Sequence, residues 1–121
     1  SDLVLVAPHH QLYDEFSVKA NNIYKEYTDL VEPFGIDESW LDVTASRLLF
    51  GSGERIADEI RARFISELGI TCSVGVSFNK SIAKLGSDYK KPNATTVIMR
   101  KDLERIVPVS YTHLRAHETD S

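Results

Sequence analysis

The stretch Thr71–Phe78, TCSVGVSF, constrains the fold of this chain more than any other. Its residues alternate without exception, with Cys72, Val74, Val76 and Phe78 on one side and Thr71, Ser73, Gly75 and Ser77 on the other. A period of two identifies a strand with unlike faces. One face demands an apolar core, and the other is nearly bare of side-chain bulk. Asn79 follows directly and can cap a helix that runs through Ile82, Leu85 and Gly86. A core strand is therefore joined to a helix amino end with almost no linker.

The rest of the chain supplies partners for that unit. Leu3 to Ala7 reads as a short buried strand, and Pro8, His9 and His10 form a break with the histidines in a loop. Leu12, Phe16, Ala20, Ile23 and Tyr27 recur at steps of four, four, three and four, one face of an amphipathic helix that ends near Thr28. Leu30 to Ile36 and Trp40 to Ala45 are two extended segments, close enough only for an antiparallel hairpin. Ser52 can cap a helix carrying Ile56, Ile60, Phe64 and Leu68, and Gly69 is placed to end it. KKPN predicts a turn, TTVIM a strand and KDLERIV a short final helix. This order predicts an α+β sandwich of the split βαβ kind, a mainly antiparallel sheet with helices packed on one face. Residues 1–110 form the expected domain, and 111–121, YTHLRAHETDS, read as a tail without apolar periodicity.

Composition narrows the functional classes. The longest early apolar run is too short to span a bilayer, and it lacks the flanks of a secretory signal, so no membrane partner and a cytoplasmic setting are expected. Cys72 is the only cysteine, which excludes an internal disulfide and predicts a buried free thiol. The formal charge of −4 is unevenly spread: residues 1–78 carry 6 basic and 13 acidic side chains, residues 79–105 carry 7 and 3. An acidic lobe thus adjoins a basic segment.

Two places could carry chemistry. Asp37 and Glu38 stand between the hairpin strands, and adjacent residues on a regular strand point apart, so they converge only if the backbone turns there, as Gly35 permits. Converging carboxylates with oxygen donors alone suit a hard divalent cation such as Mg2+, and a solvated acidic turn is the plain alternative. The second place is SVGVSFNKSIAK, where a helix amino end with Lys80 in its first turn and Lys84 one turn on favours phosphate oxygens. The alternative there is an ordinary Asn cap with solvated lysines. His113 and His117 have helical spacing, but the segment has no core face to hold a metal site. Trp40 and the tyrosines read as core and rim rather than a base-stacking platform.

Taken together and in order, LVEPFGIDESWLDVT, LFGSGERIADEIRARF and GITCSVGVSFNKSIAKLGSDYKKPNATTVI resemble the palm of a Y-family DNA polymerase of the bacterial polymerase IV type, from about Leu3 to about Ser110. The resemblance implies DNA-directed DNA synthesis of the translesion kind, tied to DNA repair, with dNTPs added to a primer 3′ end by two-metal nucleotidyl transfer. In that reading Gly35-Ile36-Asp37-Glu38 stands for the family's Ser-Ile-Asp-Glu motif, with Gly35 in place of Ser. Asp37 and Glu38 hold two Mg2+ ions, and Lys80 contacts the incoming triphosphate. Lys84, Lys90 and Lys91 line the duplex or phosphate side. The implied partners are primer-template DNA, dNTP and, through a region beyond this chain, a sliding clamp; the parent protein is expected to be monomeric.

The same resemblance sets expectations about what lies outside the chain. The family's first strand with its metal-binding aspartate, and its fingers segment, would precede Ser1, so the chain alone is expected not to polymerise. The place beside the hairpin is expected to stand open, exposing backbone edges and apolar surface. YTHLRAHETDS is expected to be non-native or disordered. A palm-type nucleotidyl cyclase would want a Gly-Gly-Asp-Glu-Phe-like bend, which Gly35 to Ser39 does not match. A metal-free ferredoxin-like binding module is the rival from a different class.

Overall fold

The computed structural model describes residues 2–90 and 92–106. Its elements follow the predicted order with one short helix added: β1 (Leu3–Pro8), α1 (Asp14–Tyr27), β2 (Val31–Phe34), β3 (Glu38–Asp42), the unpredicted α2 (Arg47–Phe50), α3 (Gly53–Arg63), β4 (Cys72–Ser77), α4 (Lys80–Tyr89), β5 (Ala94–Val97) and α5 (Arg100–Ile106). The sheet order is β2-β3-β1-β4-β5. β1 runs antiparallel to β3 and β4, β2 antiparallel to β3, and β4 parallel to β5. β3 thus splits the β1-α1-β2 unit, and β1 splits the unit from β3 through α3 to β4, which gives the split βαβ α+β fold.

One expectation about the sheet is corrected. The strip beside the hairpin is filled, because β1 pairs along β3 from Leu3↔Asp42 to Val6↔Ser39. Among the described residues the outer strands are β2 and β5. Pro33 in β2 lacks an N–H and so weakens that edge as a template for further strands.

The expectation that helices cover one face is corrected too. Val4, Val6, Leu41, Cys72, Val74 and Val76 pack against α1 and α3 through Ile23, Tyr24, Ile56 and Ile60, and against Phe64 just after α3. Each such side chain contributes about 1.5–3 kcal/mol on full burial. The opposite face holds Leu5, Trp40 and Ala83 of α4. Gly75 lies in their row, paired with Leu5, and a Cβ on it would stand 1.8 Å from the Ala83 carbonyl oxygen. The bare face of TCSVGVSF is therefore the seat of α4, packed backbone to backbone, where any bulk would have kept the helix away.

Local signals set the boundaries. Ser52 Oγ accepts from the Arg55 amide and Asn79 Oδ1 from the Ile82 amide, both as predicted caps. Gly69 closes the wide turn Phe64–Leu68 at φ 68°. β3 stops at Asp42 rather than reaching Ala45, because the Asp42 carboxylate accepts both the Thr44 amide and the Thr44 hydroxyl and diverts the backbone from the ladder. Lys91 and the tail from 107, with His113 and His117, lie outside the described residues.

Candidate active site

β2 and β3 are joined by the three residues Gly35, Ile36 and Asp37. Gly35 takes φ +64°, a left-handed conformation open to glycine at little cost, so the glycine at this position is what the tight turn asks for. Asp37 falls in the turn, whereas Glu38 already pairs with Phe34 as the first residue of β3. The turn breaks the strand alternation between the two carboxylates. Both are half-buried, and both line one cleft of about 310 Å³ with Pro8, His9, Lys84 and Asp88.

Each carboxylate has a hold of its own. Asp37 Oδ1 accepts from the Leu12 amide at 3.2 Å, which ties the turn to the approach of α1. Glu38 Oε1 accepts from Lys84 Nζ at 2.9 Å, and the same ammonium reaches Asp88 Oδ1 at 3.4 Å. Burial pulls the Lys84 ammonium down, the Glu38 carboxylate with Asp88 pushes it the other way, and the net direction is upward.

The structure does not bring Lys80 to the acidic pair. Lys80 Nζ lies 2.8 Å from Glu32 Oε2, at a separate cleft lined by Leu30, Trp40 and Asp42. α4 packs on β4, β1 and β5, and from there Lys80 in its first turn reaches Glu32 of β2 while Lys84 one turn on reaches Glu38. Lys84 is consequently the lysine that faces Glu38. Lys90 is exposed, and its carbonyl accepts from Ser73 Oγ at 3.2 Å. His9, read from sequence as a loop residue, lines the acidic cleft with Nε2 2.9 Å from Ser73 Oγ. No periodic pattern marked it, since its place follows from where β1 ends.

The donor set fits a hard cation in kind: two neighbouring carboxylates, oxygen only, on one cleft wall. Among the described residues no cluster of three or more His, Cys, Asp or Glu side chains is arranged to hold a metal, and Asp88, the third carboxylate on this cleft, faces Lys84 Nζ at 3.4 Å. Among those residues, too, no helix is long and apolar enough to cross a membrane.

Residues 1–88 match the family model described as IMS, impB/mucB/samB family. DNA polymerase IV of Acetivibrio thermocellus is 60% identical over 102 residues, covering 84% of this chain and 26% of the relative. DNA polymerase IV of Pseudomonas entomophila is 44% identical over 115 residues, covering 93% and 32%. The chain thus spans about a quarter to a third of these curated relatives. Among solved structures, the insertion ternary complex of Dbh DNA polymerase superposes with a TM-score of 0.71 at 31% identity, over 82% of this chain and 30% of that one. DinB from Sulfolobus solfataricus gives 0.69 at 32% identity, over 78% and 28%. With an α+β palm sheet, an acidic turn and this span of matched residues, the chain belongs to the impB/mucB/samB family of Y-family DNA polymerases, of the polymerase IV type.

Proposed function

We propose that this chain is the palm portion of a DNA-directed DNA polymerase that adds dNTPs to a primer 3′ end in translesion synthesis, with Asp37 and Glu38 as the Mg2+ ligands. The observation that supports it best is the shared cleft of Asp37, Glu38 and Lys84. Bound Mg2+ would supply activation of the primer hydroxyl and neutralisation of the triphosphate. The residues of the chain hold and orient. The Leu12 amide keeps the Asp37 carboxylate turned to the bend, and β3 pairing fixes where Glu38 leaves the sheet. Lys84 stands where a triphosphate beside the two carboxylates would need a cation, so we assign the triphosphate contact to Lys84 ahead of Lys80. Lys80, Lys90 and Lys91 then serve the duplex or backbone-phosphate side. Primer-template DNA and dNTP are the partners in this reading, with a sliding clamp engaged elsewhere in the parent.

The test is a graft. A full-length relative carrying residues 2–106 of this chain in place of its matching segment should extend a primer, and Asp37→Asn in the graft should lower the rate by about 10²–10³-fold, as for loss of a group stabilising transition-state charge. A folded graft that extends equally well with Asn at that position would overturn the assignment. The chain alone is expected not to extend a primer, since two carboxylates underligate a metal pair.

A further inference from the structure

A second, smaller cavity of about 90 Å³ lies under the turn, lined among others by Leu12, Ser17, Asn21, Tyr24, Asp37 and Ser39. Tyr24 enters it from α1. Tyr24 is 1% exposed and its ring stacks on Phe64 at 5.9 Å, yet among the described residues its hydroxyl makes no hydrogen bond of good geometry, with the Ser39 side chain its one weak hydrogen-bonding neighbour. An unpartnered buried hydroxyl costs about 1–3 kcal/mol, a cost that phenylalanine would avoid in the same space. The walls around it are mixed, with Ala20, Pro33 and Ile36 beside polar groups that are already ordered. Ser17 Oγ donates to the Leu12 carbonyl at 3.2 Å, Asn21 Nδ2 to the Ser17 carbonyl at 2.9 Å, and the Leu12 amide to Asp37 Oδ1.

A recess of this size with several polar groups in its wall admits ordered water, where a wholly apolar one of equal volume stays dry. Asp37 is common to this cavity and to the larger cleft above. We infer that an ordered water in the lower cavity accepts a hydrogen bond from the Tyr24 hydroxyl and donates one to the Asp37 carboxylate, which makes Tyr24 a positioning residue for Asp37. The inference deepens the proposed function, since it rests on Asp37 as a cation ligand. The Asp37 carboxylate sits in a turn on one long amide hydrogen bond. A second hold from below limits its rotation, so less orientation remains to be lost when a cation binds above.

Two measurements on the chain test it, with Tyr24→Phe as the variant. In the metal-free protein, water-selective NOE spectroscopy should show a long-lived water at the Leu12 amide and the Tyr24 ring, and Tyr24→Phe should abolish it. In a Mg2+ titration followed by amide shifts at Asp37 and Glu38, Tyr24→Phe should raise the dissociation constant about three- to tenfold. Absence of the water signal in the unsubstituted chain overturns the inference. So does a Tyr24→Phe protein that melts higher and binds Mg2+ unchanged, the signature of an orphaned hydroxyl. An unsubstituted chain with no Mg2+ response at Asp37 refutes Asp37 as a cation ligand in this chain, the graft still decides the parent's activity, and the water signal still decides the bridge.

Discussion

Lys84 Nζ lies 2.9 Å from Glu38 Oε1, a contact between residues 46 apart in sequence that joins the second turn of α4 to the acidic hairpin. The side chains are 35% and 25% exposed, so solvent screens part of their attraction. If Asp37 and Glu38 hold a divalent cation as proposed, the ammonium on Glu38 would compete with it. Lys84→Met is expected to raise the affinity for Mg2+ alone by about two- to fivefold, the range of a partly exposed ion pair. Affinity for Mg2+ with dATP should fall in the same variant, because the phosphate contact goes with the lysine. Isothermal titration with and without nucleotide checks both signs, and a parallel fall in both would show that Lys84 does not compete for Glu38.

The same pair predicts an alkaline dependence. Lys84 is shifted upward in the folded chain, so folding favours its protonated form. The stabilisation is complete below the unfolded lysine value of about 10.4 and is lost as pH rises through the higher folded value. Urea denaturation between pH 9 and 11.5 should show the unsubstituted chain losing stability relative to Lys84→Met as the pH passes about 10.4. Parallel curves would mean that the shift is not linked to folding.

How much of this was legible in the chain depends on the range of the interaction. Alternation in TCSVGVSF and the four-residue march from Ile56 to Leu68 each reflect one face of one element; the strand formed from Cys72 to Ser77 with Phe78 packed beside Ile82 instead, and the march is buried as read although the α-helix ends at Arg63 and Phe64–Leu68 winds wider. The caps at Ser52 and Asn79 span three residues, and they too formed as read. Long-range placement was not legible. The small side chains opposite Cys72, Val74 and Val76 read as a bare face, and only the approach of α4 to Gly75 explains it. That approach puts helices on both faces of the sheet. It also makes Lys84 rather than Lys80 the neighbour of Glu38, because the direction of α4 over the sheet decides which turn meets the bend. Tyr24, read with the other tyrosines as core or rim, is core, but the place of its hydroxyl beside the Asp37 turn depends on long-range packing and was not legible.

Cys72 offers a probe of the core. It is fully buried between α3 and the sheet, and burial pushes its thiol up to about 12 against a smaller opposing pull from Arg61. The thiolate is the reactive form, so at pH 8 native Cys72 should resist Ellman's reagent for as long as the core stays closed. Reaction should begin with global unfolding and follow the denaturation curve monitored by Trp40 fluorescence. Rapid labelling under native conditions would place Cys72 in a region that opens locally.

Gly75→Ala tests whether α4 is seated as tightly as the backbone contact indicates. The new methyl would stand 1.8 Å from the Ala83 carbonyl oxygen and 2.6 Å from the Ser87 amide nitrogen, so the helix itself must lift, since no flexible side chain is there to move aside. Overpacking at side chains costs about 1–3 kcal/mol, and a clash with main chain belongs at or above the top of that range. Gly86→Ala is the graded comparison. Its methyl would meet the Thr96 carbonyl oxygen at 3.2 Å, which asks for a shift of tenths of an ångström and should cost about 1 kcal/mol. Chemical denaturation of both variants reads the order directly. Lifting α4 also carries Lys84 away from Glu38, so the Gly75 variant should lose the alkaline step as well as stability, while the Gly86 variant keeps it. Equal losses in the two variants would show that the α4 contact is looser than 1.8 Å implies and that the placement of Lys84 does not depend on a glycine at 75.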